Sequence, residues 1–395
     1  MNNVFDVEKG CTGCGFCAAV CLQGALHMEL NREGFYEPLI DEEKCIKCGI
    51  CKKYCKKCND DVVLHKSCEF PKVYAAVNQD KKILETSTSG GVATELADWA
   101  IDNGYLVASV KYSVEKNLAF FDIASTKEQI QEFRGSKYFQ PYTEDTFRTI
   151  CNSNDKYMVI GLPCHIYPIW RFAADRKRQD QFIFVDMFCH GCPTKVLWDK
   201  YLEWEKDKYK IEKIDKIEFR SKTYGWHEFC TKFIAEGHEY CTKPGEDLFY
   251  RTFFKDLVLN EACNTCKLRG YSMVSDIRIG DFWGTKYDLN TTGVSVCVIN
   301  SERGSRVLEA VRDKFKIKEE RLEDVKPWQA GEKEYEVNER ERKILLDSLY
   351  AHLNSMLELN SDANKGIMNN IKNGAPAEVK KYIRLFYHLI RKRKV

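Results

Sequence analysis

Eight cysteines near the N-terminus have the types and spacing of ligands for iron–sulfur clusters. Four follow the pattern C-x-x-C-x-x-C-x-x-x-C, and a second run repeats it. In modules with two such runs, the fourth cysteine of each run binds the other cluster. We therefore expect one 4Fe-4S cluster on Cys11, Cys14, Cys17 and Cys55, and another on Cys45, Cys48, Cys51 and Cys21.

Structural zinc is the alternative for these cysteines. Zinc favours two C-x-x-C pairs separated by a longer loop and does not need the third and fourth cysteine of each run. The proline that usually follows the last cysteine is replaced by Leu22 and Lys56, which weakens the turn signal but leaves the ligand set intact. Residues 1–60 are therefore predicted to form a bacterial-type two-cluster ferredoxin domain.

Four later cysteines suggest a third site. Cys164 and Cys189 each follow a predicted buried strand, and Cys263 and Cys266 form a C-x-x-C pair. If the two strands are neighbours, these four thiols would complete a third four-thiolate site for a 4Fe-4S cluster. The alternatives are zinc, a catalytic thiol, a redox pair or unrelated buried cysteines, and Cys192 is the substitute ligand if Cys189 is not used.

A segment of small hydroxyl residues and glycines precedes a predicted helix. Its N–H groups at the helix start suit the pyrophosphate of a flavin or nucleotide, although an ordinary serine-capped helix explains the pattern equally well. The residues are Ser87, Thr88, Ser89, Gly90 and Gly91.

Three histidines are candidate proton donors: His165, His190 and His227. We rank His190 first as a catalytic residue because it lies between two cysteines at a strand end.

The elements that must position these residues indicate a mixed α/β fold. Apolar runs at 73–77, 105–112, 157–160 and 182–187 predict strands, and helical spacing at 92–101 makes 73–112 a β-α-β unit. A polar segment at 59–72 predicts a linker to a domain at 73–300. Residues 301–395 are expected to form a helical region, with an apolar stripe at Leu345, Leu346, Leu349, Leu353 and Leu357.

Composition narrows the class of protein. Lys and Arg total 61 against 59 Asp and Glu, so no general field attracts nucleic acid. The 19 cysteines, together with a start that lacks the features of a signal peptide, predict a cytoplasmic, metal-binding protein. No apolar run is long enough for a membrane span. The basic amphipathic tail from Glu378 is compatible with a membrane surface, but docking on the body or on a partner is favoured, and an oligomer stays open.

Six stretches, in order, resemble the family of coenzyme F-420 hydrogenase/dehydrogenase beta subunits, with the match running from about Val73 to Ile299: TSTSGGVATELADWA, FRGSKYFQ, GLPCHIYPIW, FCHGCP, FRSKTYGW and CNTCKLRGYSMVSDIRIGDFWG. The resemblance implies an FAD-binding α/β fold with a 4Fe-4S cluster close to the flavin.

At the matching positions, the resemblance implies that Ser89, Gly90 and Gly91 hold the FAD phosphates, and that Ser136, Lys137 and Tyr138 line the flavin. Lys137 would stabilise the reduced, anionic flavin. Cys164, Cys189, Cys263 and Cys266 would hold the cluster nearest to the flavin.

Together these features predict an iron–sulfur flavoprotein oxidoreductase. It would exchange electrons with a ferredoxin or another redox protein through three 4Fe-4S clusters and FAD, and reduce an unidentified organic substrate. Two alternatives stay open: oxidation of reduced coenzyme F-420 with electrons passed outward, and a non-enzymatic electron-relay subunit. No G-x-G-x-x-G follows a predicted strand, which disfavours direct use of NADH.

Overall fold

The computed structural model describes residues 3–4, 10–59, 71–271, 273–331 and 333–351. The chain divides into two units, residues 1–337 and 338–395, of which the second is described only by its first residues and one helix. Most of the predicted linker, the last part of the leucine stripe and the basic tail lie outside the described residues. No helix in the described ranges has the length and apolar character needed to cross a bilayer.

The first unit combines a large mixed sheet with two smaller sheets and several short helices. The described strands are β1 (Leu26–Leu30), β2 (Tyr36–Ile40), β3 (Lys72–Asn78), β4 (Leu106–Ser113), β5 (Leu118–Ala124), β6 (Tyr157–Gly161), β7 (Phe182–Met187), β8 (Lys216–Glu218), β9 (Lys232–Ala235), β10 (His238–Cys241), β11 (Ile277–Asp281), β12 (Ser295–Ile299) and β13 (Phe315–Glu320).

The described α-helices are α1 (Phe16–Ala19), α2 (Ile50–Tyr54), α3 (Lys81–Thr86), α4 (Val92–Asp102), α5 (Lys127–Ile130), α6 (Glu144–Asn152), α7 (Pro163–Asp175), α8 (Lys195–Tyr209), α9 (Leu248–Phe253), α10 (Glu261–Asn264), α11 (Glu302–Ala310), α12 (Leu322–Val325) and α13 (Glu339–Ala351). Helix α13 belongs to the second unit and contains the start of the predicted leucine stripe.

The large sheet has the strand order β13-β3-β12-β11-β7-β6-β4-β5. Strands β4, β6, β7 and β11 run parallel, and the other pairs are antiparallel. The predicted strands and the predicted helix are confirmed to within two residues, and so is the mixed α/β class. However, β3 and β4 are not neighbours, so 73–112 is not a local β-α-β unit: β3 pairs instead with β12 and β13.

The central strands are apolar along their whole length because helices cover both faces. All five residues of β6 are buried, as are all but the last of β7. On one face they pack with Leu96 of α4, and on the other with Phe147 of α6 and Ile166 of α7. A strand buried on both faces reads as a continuous apolar run rather than an alternating one.

The N-terminal segment packs on the sheet domain rather than standing alone. The ring of Phe16 in α1 lies 5.7 Å from Tyr54 in α2 and 5.9 Å from Phe172 in α7, measured between centroids. Asp175 of α7 accepts a 2.7 Å hydrogen bond from the Tyr54 hydroxyl. The expected boundary near residue 60 therefore does not separate two compact units.

The boundary expected at residue 300 also needs correction. Strand β13 extends the large sheet by pairing antiparallel with β3, and α11 packs in the same core through Val307 and Leu308. Residues 301–395 are thus not wholly helical, because the alternation of apolar and charged residues in FKIKEE suits an edge strand.

Candidate metal centres and the surrounding site

The first expected set of thiols gathers on the loop before α1 and at the end of α2. Cys11, Cys14 and Cys17 interact electrostatically with one another and with Cys55. Burial and these neighbours raise the pKa of Cys11 to about 12, and burial raises the pKa of Cys14 to about 11. Four thiols packed this way are costly as free thiolates, and bound iron would compensate their charge.

Two glycines let the backbone wrap closely around this set. Gly13 has φ 67°, and its N–H donates to the Cys11 Sγ at 3.4 Å. A Cβ on Gly13 would lie 2.6 Å from the Nε2 of Gln140, and one on Gly15 would overlap the hydroxyl of Thr143. Both positions therefore require glycine.

The sheet domain holds the backbone of this loop from the other side. The buried side chains of Gln140 and Thr143 donate to the carbonyls of Thr12 and Cys14, both at 2.8 Å. These two hydrogen bonds help to fix the conformation of the loop.

The second expected set, Cys21, Cys45, Cys48 and Cys51, lies at the outer edge of the N-terminal segment. Cys51 is buried, whereas Cys48 is exposed. Burial raises the pKa of Cys51, and the charge of Cys48 adds to this. Cys21 and Cys45 pack against the same small core as Cys17 and Cys55.

The third expected set converges at the carboxyl ends of β6 and β7, which are parallel neighbours. The thiol of Cys164 interacts with Cys189, Cys266 and Cys263, in that order of strength. Burial raises the pKa of Cys164, Cys189 and Cys263, reaching about 11 for Cys263. These residues come from three separate chain segments, which the fold brings together.

Cys192 lies beside this set but is oriented differently. Its backbone N–H donates to the Cys263 Sγ at 3.4 Å, and its strongest electrostatic neighbours are Cys263 and Cys189. The main electrostatic neighbours of the Cys164 thiol are Cys189, Cys266, Cys14 and Cys263, and Cys192 is not among them. Cys189 therefore stays the predicted fourth ligand, and Cys192 stays the substitute.

The three thiol sets were predicted to hold clusters rather than single metal ions. In the described ranges, no group of three or more His, Cys, Asp or Glu side chains is arranged to hold a single metal ion. A cubane cluster binds each thiolate through a different iron atom, and so takes ligands at wider separations than one ion does. The all-thiolate donor sets fit such clusters.

The segment from Ser87 to Gly91 connects α3 to α4 and is hydrogen-bonded to Val294 and to Ser295 at the start of β12. The Ser89 hydroxyl donates to the Val294 carbonyl at 2.9 Å, and the Gly90 N–H donates to the Ser295 hydroxyl at 2.9 Å. Two groups that were expected to donate to phosphate, the Ser89 hydroxyl and the Gly90 N–H, therefore donate to protein acceptors instead. Gly91, with φ 84°, starts α4 and leaves the helix N-terminus beside this segment.

The two stretches expected to bind flavin meet. The Ser136 N–H donates to the Thr88 hydroxyl at 3.0 Å. The ring of Tyr138 packs edge-on against Tyr250 at 5.3 Å and Phe253 at 5.8 Å, so it is held by α9. The two candidate flavin stretches, distant in sequence, are thus adjacent in space.

Lys137 is oriented toward backbone. Its Nζ donates to the carbonyls of Glu132, Phe133 and Arg134 at 3.0–3.4 Å. Burial lowers its pKa to about 7, while three carbonyl acceptors favour the ammonium, which alone supplies three N–H donors. Lys137 therefore fastens the Ser136–Tyr138 stretch to the preceding turn.

The three histidines have different environments. His165 is buried, accepts the Leu162 N–H at Nδ1, and has a pKa lowered to about 3 by burial, so it acts as a neutral helix cap. The Nε2 of His227 is buried without a hydrogen-bond partner. His190 is half-buried, and its Nε2 lies 2.5 Å from Asp256.

His190 also has a second partner on its other side. The Tyr335 hydroxyl lies 3.2 Å from the His190 Nδ1 and donates to its carbonyl at 2.9 Å. The imidazole next to Cys189 is therefore oriented by two polar groups, which suits a proton-transfer role.

Several arginines near the third set did not stand out in the sequence. Arg278 forms a buried, two-point ion pair with Asp186, and Arg269 donates to the His190 carbonyl at 2.8 Å. Arg220 pairs with Asp281 at 2.7 Å. Only the fold reveals the partners of Arg278 and Arg220.

Two family models match the chain. Residues 73–143 match the N-terminal part of the coenzyme F420 hydrogenase/dehydrogenase beta subunit, and residues 154–325 match its C terminus, together more than half of the chain. The chain belongs to this family of beta subunits. Strands β3 to β12 and the third thiol set lie in these two matched ranges.

Two named proteins are similar to the chain over most of their length. A subunit of the F(420)H(2) dehydrogenase of Methanosarcina mazei is 22% identical over 333 residues, which cover 80% of this chain and 85% of the relative. A chain in a solved, xenon-derivatised F420-reducing NiFe hydrogenase complex from Methanosarcina barkeri is 19% identical with a TM-score of 0.47, covering 73% of this chain and 91% of that one.

Proposed function

We propose that this family member is an iron–sulfur flavoprotein oxidoreductase. It exchanges electrons with a ferredoxin-type redox protein through three 4Fe-4S clusters and FAD, and reduces an organic substrate. The observation that carries the proposal is that the thiol sets lie close enough to one another, in series, to interact electrostatically. Cys17 of the first set interacts with Cys51 of the second, and Cys164 of the third interacts with Cys14 of the first.

This series begins at an exposed thiol. Cys48 is exposed in the second set, while Cys164 and Cys189 in the third set are half-buried in the sheet domain. Clusters on these thiols would supply one-electron transfer between the exposed second set and the sheet domain. An exposed entry of this kind suits a protein that receives electrons from a partner.

The outer edge also suggests the partner's charge. Residues 44–57 contain six lysines and no acidic residue: Lys44, Lys47, Lys52, Lys53, Lys56 and Lys57. Ile46, between Cys45 and Cys48, is 65% exposed. Lys44 and Lys53 are paired with Asp41 and Asp175. The remaining lysines around exposed Ile46 would still favour an acidic redox protein such as a ferredoxin.

Flavin would lie where Thr88 meets Ser136. A flavin bound there would supply the conversion between one-electron and hydride transfer. Ser89 and Gly90 donate to Val294 and Ser295. The phosphates would therefore be contacted by the N-terminus of α4 and by Thr88. Ser136 and Tyr138 would line the ring system, and Lys137 would position them.

Proton transfer falls to His190 in this proposal. Asp256 on one ring nitrogen and Tyr335 near the other keep the imidazole in one orientation beside the third thiol set. An oriented imidazole can pass a proton to a substrate as the electrons arrive.

A second candidate function is oxidation of reduced coenzyme F420 with electrons passed outward. It is favoured by the similarity to the F(420)H(2) dehydrogenase subunit, which extends over 85% of that relative. The same thiol series would then work in the opposite direction.

The test is iron and flavin content of protein purified without oxygen. We expect about 12 irons per chain and one FAD. About 8 irons without flavin would contradict the proposal and favour an electron-relay subunit. Stoichiometric bleaching of the bound flavin by reduced ferredoxin, or by reduced coenzyme F420, would then distinguish the two directions.

A further inference from the structure

Arg269 carries a buried charge whose partner is not a carboxylate. Its side chain is 2% exposed. Two of its nitrogens donate to the carbonyls of His190 and Lys333, at 2.8 and 2.5 Å, and its Nε is buried without a hydrogen-bond partner. None of the ion pairs among the residues that the structure describes includes Arg269. A buried guanidinium left this way is expensive.

The two other buried arginines near the site are neutralised. Arg278 pairs with Asp186 at 2.6 Å, and Arg220 pairs with Asp281 at 2.7 Å. The carboxylate of Asp256 is engaged by His190 at 2.5 Å. The positive charge of Arg269 is therefore not balanced by these acids.

Arg269 lies next to the third thiol set. It follows Cys266 by three residues in the chain, and its guanidinium donates at 2.8 Å to the carbonyl of His190, the residue after Cys189. The Tyr335 ring covers the guanidinium at 4.3 Å, and the Tyr335 hydroxyl holds the His190 carbonyl at 2.9 Å. Arg269 is thus fixed on the side of the set that carries the C-x-x-C pair.

We propose that Arg269 is the counter-ion of the cluster on Cys164, Cys189, Cys263 and Cys266 and raises its reduction potential. This inference rests on the third cluster of the proposed function. Four thiolates outweigh the positive charge of the iron–sulfur core, so the bound cluster is anionic and gains a further negative charge when it accepts an electron. A fixed positive charge stabilises the reduced form more than the oxidised form.

The consequence is a directed electron flow. The first set, around Cys14, has Gln140 and Thr143 against its backbone rather than a buried guanidinium. A higher potential at the third cluster makes transfer from the head toward the flavin side more favourable than it would be without Arg269. Arg269 is not a catalytic residue, because its charge acts on the cluster and its ligands rather than on the substrate.

The test is a potentiometric titration of the whole, anaerobically purified protein, followed by electron paramagnetic resonance. The third cluster's signal is assigned as the one that Cys164→Ser removes. We expect Arg269→Gln to lower the reduced-to-oxidised ratio of this cluster about tenfold at a given potential, or about 59 mV for one electron. Arg269→Lys, which keeps the charge, should stay within about threefold of wild type, and the two head clusters should not change.

Each other outcome also decides the matter. An unchanged potential in Arg269→Gln, or equal shifts in Arg269→Gln and Arg269→Lys, would overturn the proposal, because contacts rather than charge would then matter. If Arg269→Gln loses the third cluster and Arg269→Lys keeps it, the charge is needed for assembly, which supports the proposal. Loss from both variants would overturn it. A wild-type protein with only two clusters would instead refute the proposed function itself.

Discussion

The buried ion pair between Asp186 and Arg278 gives the sharpest prediction about stability. Asp186 lies on β7 and Arg278 on the neighbouring β11, and both are 1% exposed. The Arg278 Nε and one terminal nitrogen donate to the two carboxylate oxygens at 2.8 and 2.6 Å. The remaining donors bind the carbonyls of Leu268, Arg269 and Gly270. All the N–H groups of the guanidinium are therefore satisfied.

Replacing Asp186 by Asn keeps the size but removes the charge that balances Arg278. We expect a loss of about 3–5 kcal/mol in the free energy of unfolding, the usual result of stranding one member of a buried pair. Arg278 also holds the backbone that follows Cys266, so the third cluster should be lost more readily during unfolding.

The assay is the midpoint of urea unfolding, measured without oxygen by far-ultraviolet circular dichroism at matched iron content. Asp207→Asn is the matched control, because Asp207 and its partner Lys210 have side chains that are 82% and 80% exposed. That control should change stability by less than about 0.5 kcal/mol.

A double variant separates burial from charge. Asp186→Leu combined with Arg278→Met removes both charges and should recover most of the loss, since buried pairs are often replaceable by apolar residues. Asp186→Asn within about 1 kcal/mol of wild type would show that the pair is not essential to the core, and our reasoning on Arg278 would fail.

Three further predictions concern the site, the flavin loop and pH. Cys189→Ser should reduce the iron content from about 12 to about 8 per chain, while Cys192→Ser should retain about 12; equal losses would contradict the ligand choice. Gly90→Ala should lower the free energy of unfolding by about 1–3 kcal/mol in urea titrations, because its Cβ would overlap the Ala76 carbonyl oxygen, and an unchanged midpoint would refute this. Burial raises the pKa of Glu205 to about 7. The folded protein therefore binds more protons than the unfolded chain between about pH 4.5 and 7. The free energy of unfolding consequently falls as pH rises through that range. Glu205→Gln should therefore raise the urea midpoint at pH 8 but not at pH 4.5, whereas the exposed control Glu203→Gln should raise neither.

Much of the fold could be predicted from local pattern. The strands at 157–161 and 182–187 are continuous apolar runs with a turn after each, which is how strands buried on both faces appear. The helix after Gly91 follows from apolar spacing and a glycine start. The order of strands could not be predicted this way, because β3 pairs with strands more than 200 residues later in the chain.

The candidate site, like the fold, could be predicted only in part from the sequence. Cysteine spacing within each run is set by the chemistry of the ligands, so the twelve candidate thiols could be named from the sequence. The charged residues around these thiols could not be identified from the sequence. Arg269, Arg278 and Asp186 resemble ordinary polar residues there, and their interactions are strong only because the fold buries them. Lys137 is a clear case, since the family resemblance implied a flavin contact while its side chain donates to three carbonyls.

The sequence by itself determined the mixed α/β class, the family resemblance and the thiol sets, because these depend on residue types at short, regular spacings. Only the tertiary structure decided that the N-terminal segment packs through Phe16 and Tyr54 on the sheet domain, bringing Cys14 within reach of Cys164. It also decided that β13 closes the sheet edge beside β3. The physical reason is that contacts between distant segments follow from how buried faces fit together, which no local spacing encodes.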